Sequence, residues 1–186
     1  MVAVHTRERL TVTQAGGSAG AYVTGLDLSR TLDAAEVMGL RAALLSHLVV
    51  ALPDQTMTLD DLERLTDQLG GRDMTPFVKP LDGRPFVIRI LKEPHERLNF
   101  ANAWHTDLSY LKAPPSFTLL YCLEAPPYGG DTIWANQYMA YETLSPGLRD
   151  TLLQTDLIHS AGSAYGTGGY LDSVKGKMST VVEPSK

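Results

Sequence analysis

Apolar residues three or four positions apart form one stripe along residues 33–48 and another along residues 58–69. That spacing is typical of the buried face of a helix. Asp33 and Glu36 form the sequence pattern of a capping box at the start of the first stripe, and a Gly-Gly pair follows the second. The pattern therefore predicts two amphipathic helices with defined ends.

Runs rich in β-branched and aromatic residues predict strands before, between and after these helices. These runs cover residues 10–14, 21–28, 48–52, 84–91, 103–110, 116–123 and 131–135. Two short helices are predicted over residues 136–144 and 146–154, the second with a proline in its first turn. Because helices come early and strands cluster after them, the order favours an α+β fold over alternating βαβ units.

Composition and charge exclude some classes of protein but do not identify a function. The chain has 186 residues, which predicts a single domain over residues 1–186. Its formal charge of −5 and the lack of a long basic run argue against a nucleic-acid partner. No signal-peptide or membrane-spanning pattern is visible, and Cys122 is the only cysteine, so we expect a cytoplasmic protein without a membrane partner. Cys122 lies in a strand-like run and is predicted to be buried.

Residues 159–186 differ from the rest of the chain because they are rich in glycine and serine. Such a segment cannot bury much apolar surface. The composition predicts a mobile loop, and two interpretations stay open: a lid over a site, or plain disorder.

The short sequence His105-Thr106-Asp107 carries the most specific chemistry. In a strand, residues i and i+2 point to the same face about 6.6 Å apart, so an imidazole and a carboxylate could bind one metal ion. Together with a second histidine they would form the ligand set of non-haem Fe(II) oxygenases. A His-x-Asp pair alone is weak evidence for a metal site, because a hydrogen-bonded pair on a sheet surface is the more common explanation.

Further motifs surround this pair and extend over nearly the whole chain. They are W-H-T-D at 104–107, Pro-Pro at 114–115, G-G-D-T-I-W at 129–134, A-Y-E-T-L-S-P at 140–146, and the segments 25–33 and 49–58. In combination these residues resemble the taurine dioxygenase (TauD/TfdA) family of Fe(II)/2-oxoglutarate-dependent dioxygenases. The resemblance implies a double-stranded β-helix (jelly-roll) core with flanking helices, incomplete at the C-terminus.

The resemblance also implies roles for individual residues. His105 and Asp107 match metal ligands, and Thr132 matches the residue that binds a carboxylate of 2-oxoglutarate. The substrate pocket would include Thr75, Phe77 and Asn102. The family's third ligand and its 2-oxoglutarate-binding arginine have no counterpart before Lys186, and His159 resembles a family position that is not a ligand. We therefore expect the chain to lack a C-terminal part and, by itself, to bind Fe(II) weakly.

The implied function is a dioxygenase that uses Fe(II) and 2-oxoglutarate with O2 to hydroxylate a small anionic substrate, releasing succinate and CO2. Sulfonates, sulfate esters and aryloxyalkanoates are the expected substrate classes. Taurine itself is disfavoured, because Thr75 stands where taurine-type members carry a histidine. The alternative is a non-catalytic remnant that binds a metal or a partner. A homo-oligomer is compatible with both the dioxygenase and the non-catalytic alternative.

Overall fold

The computed structural model describes residues 10–97, 99–101, 103–170, 177 and 179–180. Its secondary structure, in chain order, is β1 Thr11–Gln14, β2 Ala21–Thr24, α1 Ala34–His47, β3 Val50–Ala51, α2 Leu59–Leu69, β4 Pro80–Leu81, β5 Arg84–Ile88, α3 Gln137–Glu142, α4 Pro146–Leu152 and α5 Gly162–Tyr165. The chain divides into two compact units. The first holds Met1–Gly71 and Leu120–Asp156, and the second holds Arg72–Leu119 and Leu157–Lys186.

A three-stranded sheet lies in the first unit, in the order β1-β2-β3. β1 and β2, both predicted as strands, pair antiparallel as a hairpin, and β3 pairs parallel to β2. Along β2 the side chains alternate, with Ala21 and Val23 buried and Tyr22 and Thr24 exposed. This alternation is what a sheet with one covered face requires. α1 contacts β2, β3 and α2, so the core of this unit lies between the sheet and the two helices.

Both long helices begin at the residues that the sequence predicts. Asp33 caps α1, because its carboxylate accepts from the backbone N–H groups of Ala35 and Glu36 at 3.0 Å. The Glu36 carboxylate in turn accepts from the Asp33 N–H at 2.8 Å, which completes the capping box. α2 ends at Gly70, whose φ of 139° is a conformation that side chains rarely adopt. The sequence prediction of both helices is confirmed.

A second capping box, which the sequence analysis did not identify, starts α2. The Asp61 carboxylate accepts from the N–H and the hydroxyl of Thr58, at 2.8 and 2.7 Å, and pairs with Arg64 at 2.7 Å. The two hydrogen bonds from Thr58, followed by the contact with Arg64, lower the pKa of Asp61 from 3.8 to about 2. These interactions favour the charged carboxylate in the folded state.

Asp61 is therefore expected to make folding stability depend on pH in the acid range. Because its pKa is lower in the folded chain, its contribution is fully present above the unfolded value near 4 and is lost as the pH falls toward about 2. Urea unfolding at several pH values between about 2 and 5 should show a flatter acid dependence in Asp61→Asn than in the wild type. Thr58→Ala should flatten it as well, and an unchanged dependence in both variants would refute the assignment.

The second unit contains a hairpin of β4 and β5, which pair antiparallel around a turn at Gly83 with φ 75°. β5 confirms the strand predicted over 84–91, whereas β4 was not predicted. α5 lies within the glycine- and serine-rich segment, and residues 171–176, 178 and 181–186 of that segment lie outside the described residues. The single-domain assignment and the mobility of this segment stay predictions.

Three predicted strands are wrong. Residues 103–110, 116–123 and 131–135 are all described, and none of them forms a strand. A strand needs hydrogen bonds to a neighbouring strand, and no other part of the described chain supplies them here. Cys122 is accordingly exposed rather than buried. Leu120 and Leu123 in the same stretch are 68% and 80% exposed. The apolar residues that suggested a buried strand are therefore not buried here.

The α+β class is borne out by this arrangement of short sheets and helices. Within the described residues, no helix is both long enough and apolar enough to cross a bilayer.

Candidate metal centre

His105 and Asp107 converge although their segment is not a strand. Residues 103–106 have an irregular backbone and residues 107–110 form a turn, in which Leu108 has φ 49°. The Nε2 atom of His105 lies 3.1 Å from Oδ1 of Asp107. The two side chains therefore point toward one position, as the sequence prediction requires, through a turn instead of the pleat of a strand.

Hydrogen bonds orient both side chains. His105 Nδ1 lies 2.8 Å from the carbonyl oxygen of Ala103. A carbonyl can only accept, so Nδ1 carries a hydrogen and donates it. In the neutral imidazole the lone pair is then on Nε2 and faces Asp107. The other carboxylate oxygen, Oδ2, accepts from the hydroxyl of Thr118 at 2.9 Å.

Two acceptor atoms at 3.1 Å repel each other unless a positive charge lies between or beside them. A proton on Nε2 would satisfy the pair, and so would a metal cation. Neighbouring ligands of an octahedral ion stand at right angles, so bonds of about 2.1 Å place two donor atoms about 3.0 Å apart. The observed separation of Nε2 and Oδ1 matches that value. The donor geometry therefore fits a divalent metal ion.

The chemistry of the donors agrees with this fit. Imidazole nitrogen and carboxylate oxygen together suit first-row divalent ions, including Fe(II). Each of the two side chains is 51% exposed, which leaves room for ligands that are not part of the protein. Among the described residues, no group of three His, Cys, Asp or Glu side chains could hold a metal ion. The described residues thus offer two candidate ligands, His105 and Asp107, whose role in metal binding stays a prediction.

Three aromatic rings, which we call the aromatic cluster, lie in the same unit as His105 and Asp107. They are Phe77, Tyr110 and Tyr165. The rings of Phe77 and Tyr165 stack with centroids 4.3 Å apart, and the Tyr110 ring is 5.9 Å from Phe77 and 6.4 Å from Tyr165. Burial raises the pKa of Tyr110 to about 12, with smaller increases from Tyr165 and from the charge of Asp107.

Asp107 also acts on the third ring of the cluster. Burial is the main cause that raises the pKa of Tyr165, and the Asp107 carboxylate adds to it. The charge of Asp107 therefore adds to the raised pKa of both tyrosines of the aromatic cluster. The Tyr110 hydroxyl is buried and has no hydrogen-bond partner within the described part of the chain.

The remaining predicted residues have different positions. Thr75 is half-buried in the second unit, close in sequence to Phe77 of the aromatic cluster. Asn102 lies outside the described residues. Thr132 belongs to the first unit, where it is exposed and follows the two left-handed glycines of the GGDT motif. Its role with 2-oxoglutarate stays a prediction.

His159 does not join His105 and Asp107 in a cluster among the described residues. Its Nδ1 lies 2.9 Å from the hydroxyl oxygen of Ser109. Sequence reasoning did not identify this contact, nor those of Thr118, Tyr110 and Tyr165. The partners are distant along the chain, and nothing in the spacing of a lone Thr or Tyr indicates which carboxylate it approaches.

Comparison with known proteins identifies the family of this site. The sequence profile of the family described as "Taurine catabolism dioxygenase TauD, TfdA family" matches residues 9–183. The chain belongs to the TauD/TfdA family. Its members include enzymes named as alpha-ketoglutarate-dependent dioxygenases, which use Fe(II) and 2-oxoglutarate.

Two curated relatives and one solved structure illustrate the similarity. An alpha-ketoglutarate-dependent sulfate ester dioxygenase of Pseudomonas putida is 37% identical over 153 residues, covering 81% of this chain and 50% of the relative. An alkylsulfatase of Acinetobacter baylyi is 33% identical over 160 residues, covering 86% and 50%. The crystal structure of a taurine dioxygenase from Burkholderia xenovorans is 34% identical with a TM-score of 0.59, covering 76% and 51%. The chain spans about half the length of these relatives.

Proposed function

We propose that the protein is an Fe(II)- and 2-oxoglutarate-dependent dioxygenase that hydroxylates a small anionic organic substrate. The observation that carries the proposal is the convergence of His105 Nε2 and Asp107 Oδ1 at 3.1 Å in a chain of the TauD/TfdA family. The overall reaction consumes 2-oxoglutarate, O2 and one substrate C–H bond, and it yields succinate, CO2 and a C–OH group. We further propose that the complete protein has the jelly-roll core of the family and is cytoplasmic. A homo-oligomeric state is compatible with this proposal.

The described residues would bind the metal ion and hold its ligands in position. His105 and Asp107 would hold Fe(II), with the imidazole fixed by the Ala103 carbonyl and the carboxylate fixed by Thr118. The bound ion and 2-oxoglutarate supply oxidising chemistry that amino-acid side chains lack. Thr132 is assigned to a 2-oxoglutarate carboxylate on the strength of the GGDT motif alone.

For the substrate we favour sulfate esters, with sulfonates and aryloxyalkanoates as the other classes. The names of two relatives refer to sulfate esters and alkyl sulfates. The aromatic cluster offers an apolar surface that fits an alkyl or aryl group better than the charged aminoethyl group of taurine. Phe77 belongs to this cluster and Thr75 comes two positions before it, which supports their assignment to substrate binding.

The test is succinate formation by the complete polypeptide that contains residues 1–186. It is incubated with Fe(II), 2-oxoglutarate and air, with a medium-chain alkyl sulfate or taurine as substrate. We expect succinate that depends on the alkyl sulfate, little with taurine, and none in His105→Ala. Metal binding without succinate from the alkyl sulfate, from taurine or from an added aryloxyalkanoate would favour the non-catalytic alternative. Equal turnover by His105→Ala and the wild type would overturn the proposed function.

A further inference from the structure

The two oxygens of the Asp107 carboxylate have different neighbours. Oδ1 faces His105 Nε2 at 3.1 Å, whereas Oδ2 accepts a hydrogen bond of 2.9 Å from the Thr118 hydroxyl. Thr118 lies on a different segment of the second unit, beyond the Pro114-Pro115 loop. The contact therefore ties the turn that carries Asp107 to a separate part of the chain.

A hydrogen bond to a charged carboxylate is stronger than one between neutral groups. Asp107 is half exposed, so without that bond its carboxylate would be free to rotate about the bond from Cβ to Cγ. Rotation would exchange the two oxygens or offer both of them to a metal ion. With Oδ2 engaged by Thr118, Oδ1 alone remains directed toward the position that His105 also faces.

We propose that Thr118 is a positioning residue that fixes Asp107 as a ligand through one oxygen. This inference rests on the proposed metal centre and adds to it a residue that contributes no donor atom. Use of a single oxygen leaves one more coordination position for ligands that are not part of the protein, which a reaction with two small co-reactants needs. Partners of metal ligands commonly change metal affinity by 10–100-fold when they are removed.

The test compares the Co(II) affinity of Thr118→Val with that of the wild type, in the complete polypeptide that contains residues 1–186, by anaerobic calorimetric titration. Valine has nearly the shape of threonine but no hydroxyl, so we expect affinity to fall by about 10–100-fold. Thr118→Ser keeps the hydroxyl and should stay within a few-fold of the wild type. Thr151→Val is the matched control, because it removes an exposed threonine hydroxyl that donates to the Gly147 carbonyl at 2.8 Å. It should leave Co(II) affinity unchanged.

The metal-free proteins should unfold at similar temperatures, so that a loss of affinity in Thr118→Val reports on the site. If that variant is unstable, Thr118→Ala against Thr118→Ser supplies the same comparison. Wild-type affinity in the variants without the hydroxyl, alongside lost binding in His105→Ala, would overturn the role of Thr118 and leave the metal centre standing. Binding that does not depend on His105 would overturn the metal centre and this inference with it. Failure of Thr118→Ser to keep the affinity would also overturn it.

Discussion

Replacing His105 by alanine is expected to lower the affinity of the chain for Fe(II) or Co(II) by at least about 100-fold, more than the loss of a residue that only supports a ligand. The variant removes Nε2, one of the two donor atoms that converge at 3.1 Å. Asp107 would remain, still held by Thr118, but a single half-exposed carboxylate binds a divalent ion weakly. The measurement is anaerobic titration calorimetry on purified wild-type and variant chains.

His95→Ala is the matched control for this prediction, because His95 is an exposed histidine of the same unit. It should bind the metal like the wild type. If His105→Ala also retained wild-type affinity, or if His95→Ala lost as much, the ligand assignment would be wrong. Asp107→Asn offers a second check, since an amide oxygen carries no charge and should bind the ion more weakly than the carboxylate.

The second large effect concerns stability. Leu40 on α1 is 2% exposed and lies in the core of the first unit. Leu40→Ala is expected to lower the free energy of unfolding by about 2–5 kcal/mol, because it removes buried apolar contacts and leaves a cavity. The same substitution at Leu45, which is 70% exposed on the same helix, should cost less than about 1 kcal/mol.

Urea unfolding of the two variants measures this difference. Both variants change leucine to alanine within one helix, so helix propensity affects them alike. Similar losses of stability in Leu40→Ala and Leu45→Ala would show that the core of the first unit is not where the structure places it.

Features that depend on neighbouring residues were predicted well from the sequence. The capping box of α1 needs only Asp33 and Glu36, three positions apart, and the stop of α2 needs only the glycine that follows it. The predicted strands β1 and β2 likewise pair between adjacent segments. In each case the interaction partners lie close along the chain, so the local pattern contains the information that the structure uses.

Most errors arise where structure depends on distant partners, although the capping box of Thr58 and Asp61 is local and was missed. Residues 103–110 have the composition of a strand, yet strand formation depends on a neighbouring backbone that the local sequence does not specify. His105 and Asp107 were predicted to share one side on the basis of a strand that the structure does not contain, and a turn brings the two side chains together instead. Their role as metal ligands stays a prediction. The contacts of Thr118 with Asp107 and of Tyr165 with Phe77 join distant segments, and sequence spacing gave no sign of them.

The most direct test of the metal centre is anomalous diffraction at the iron absorption edge, from crystals grown anaerobically with Fe(II). We expect an anomalous peak about 2.0–2.2 Å from both His105 Nε2 and Asp107 Oδ1, with Thr118 still bonded to Oδ2. An iron peak bound to other residues would contradict the assignment. So would the absence of a peak at saturating Fe(II), with His105 and Asp107 directly hydrogen-bonded to each other.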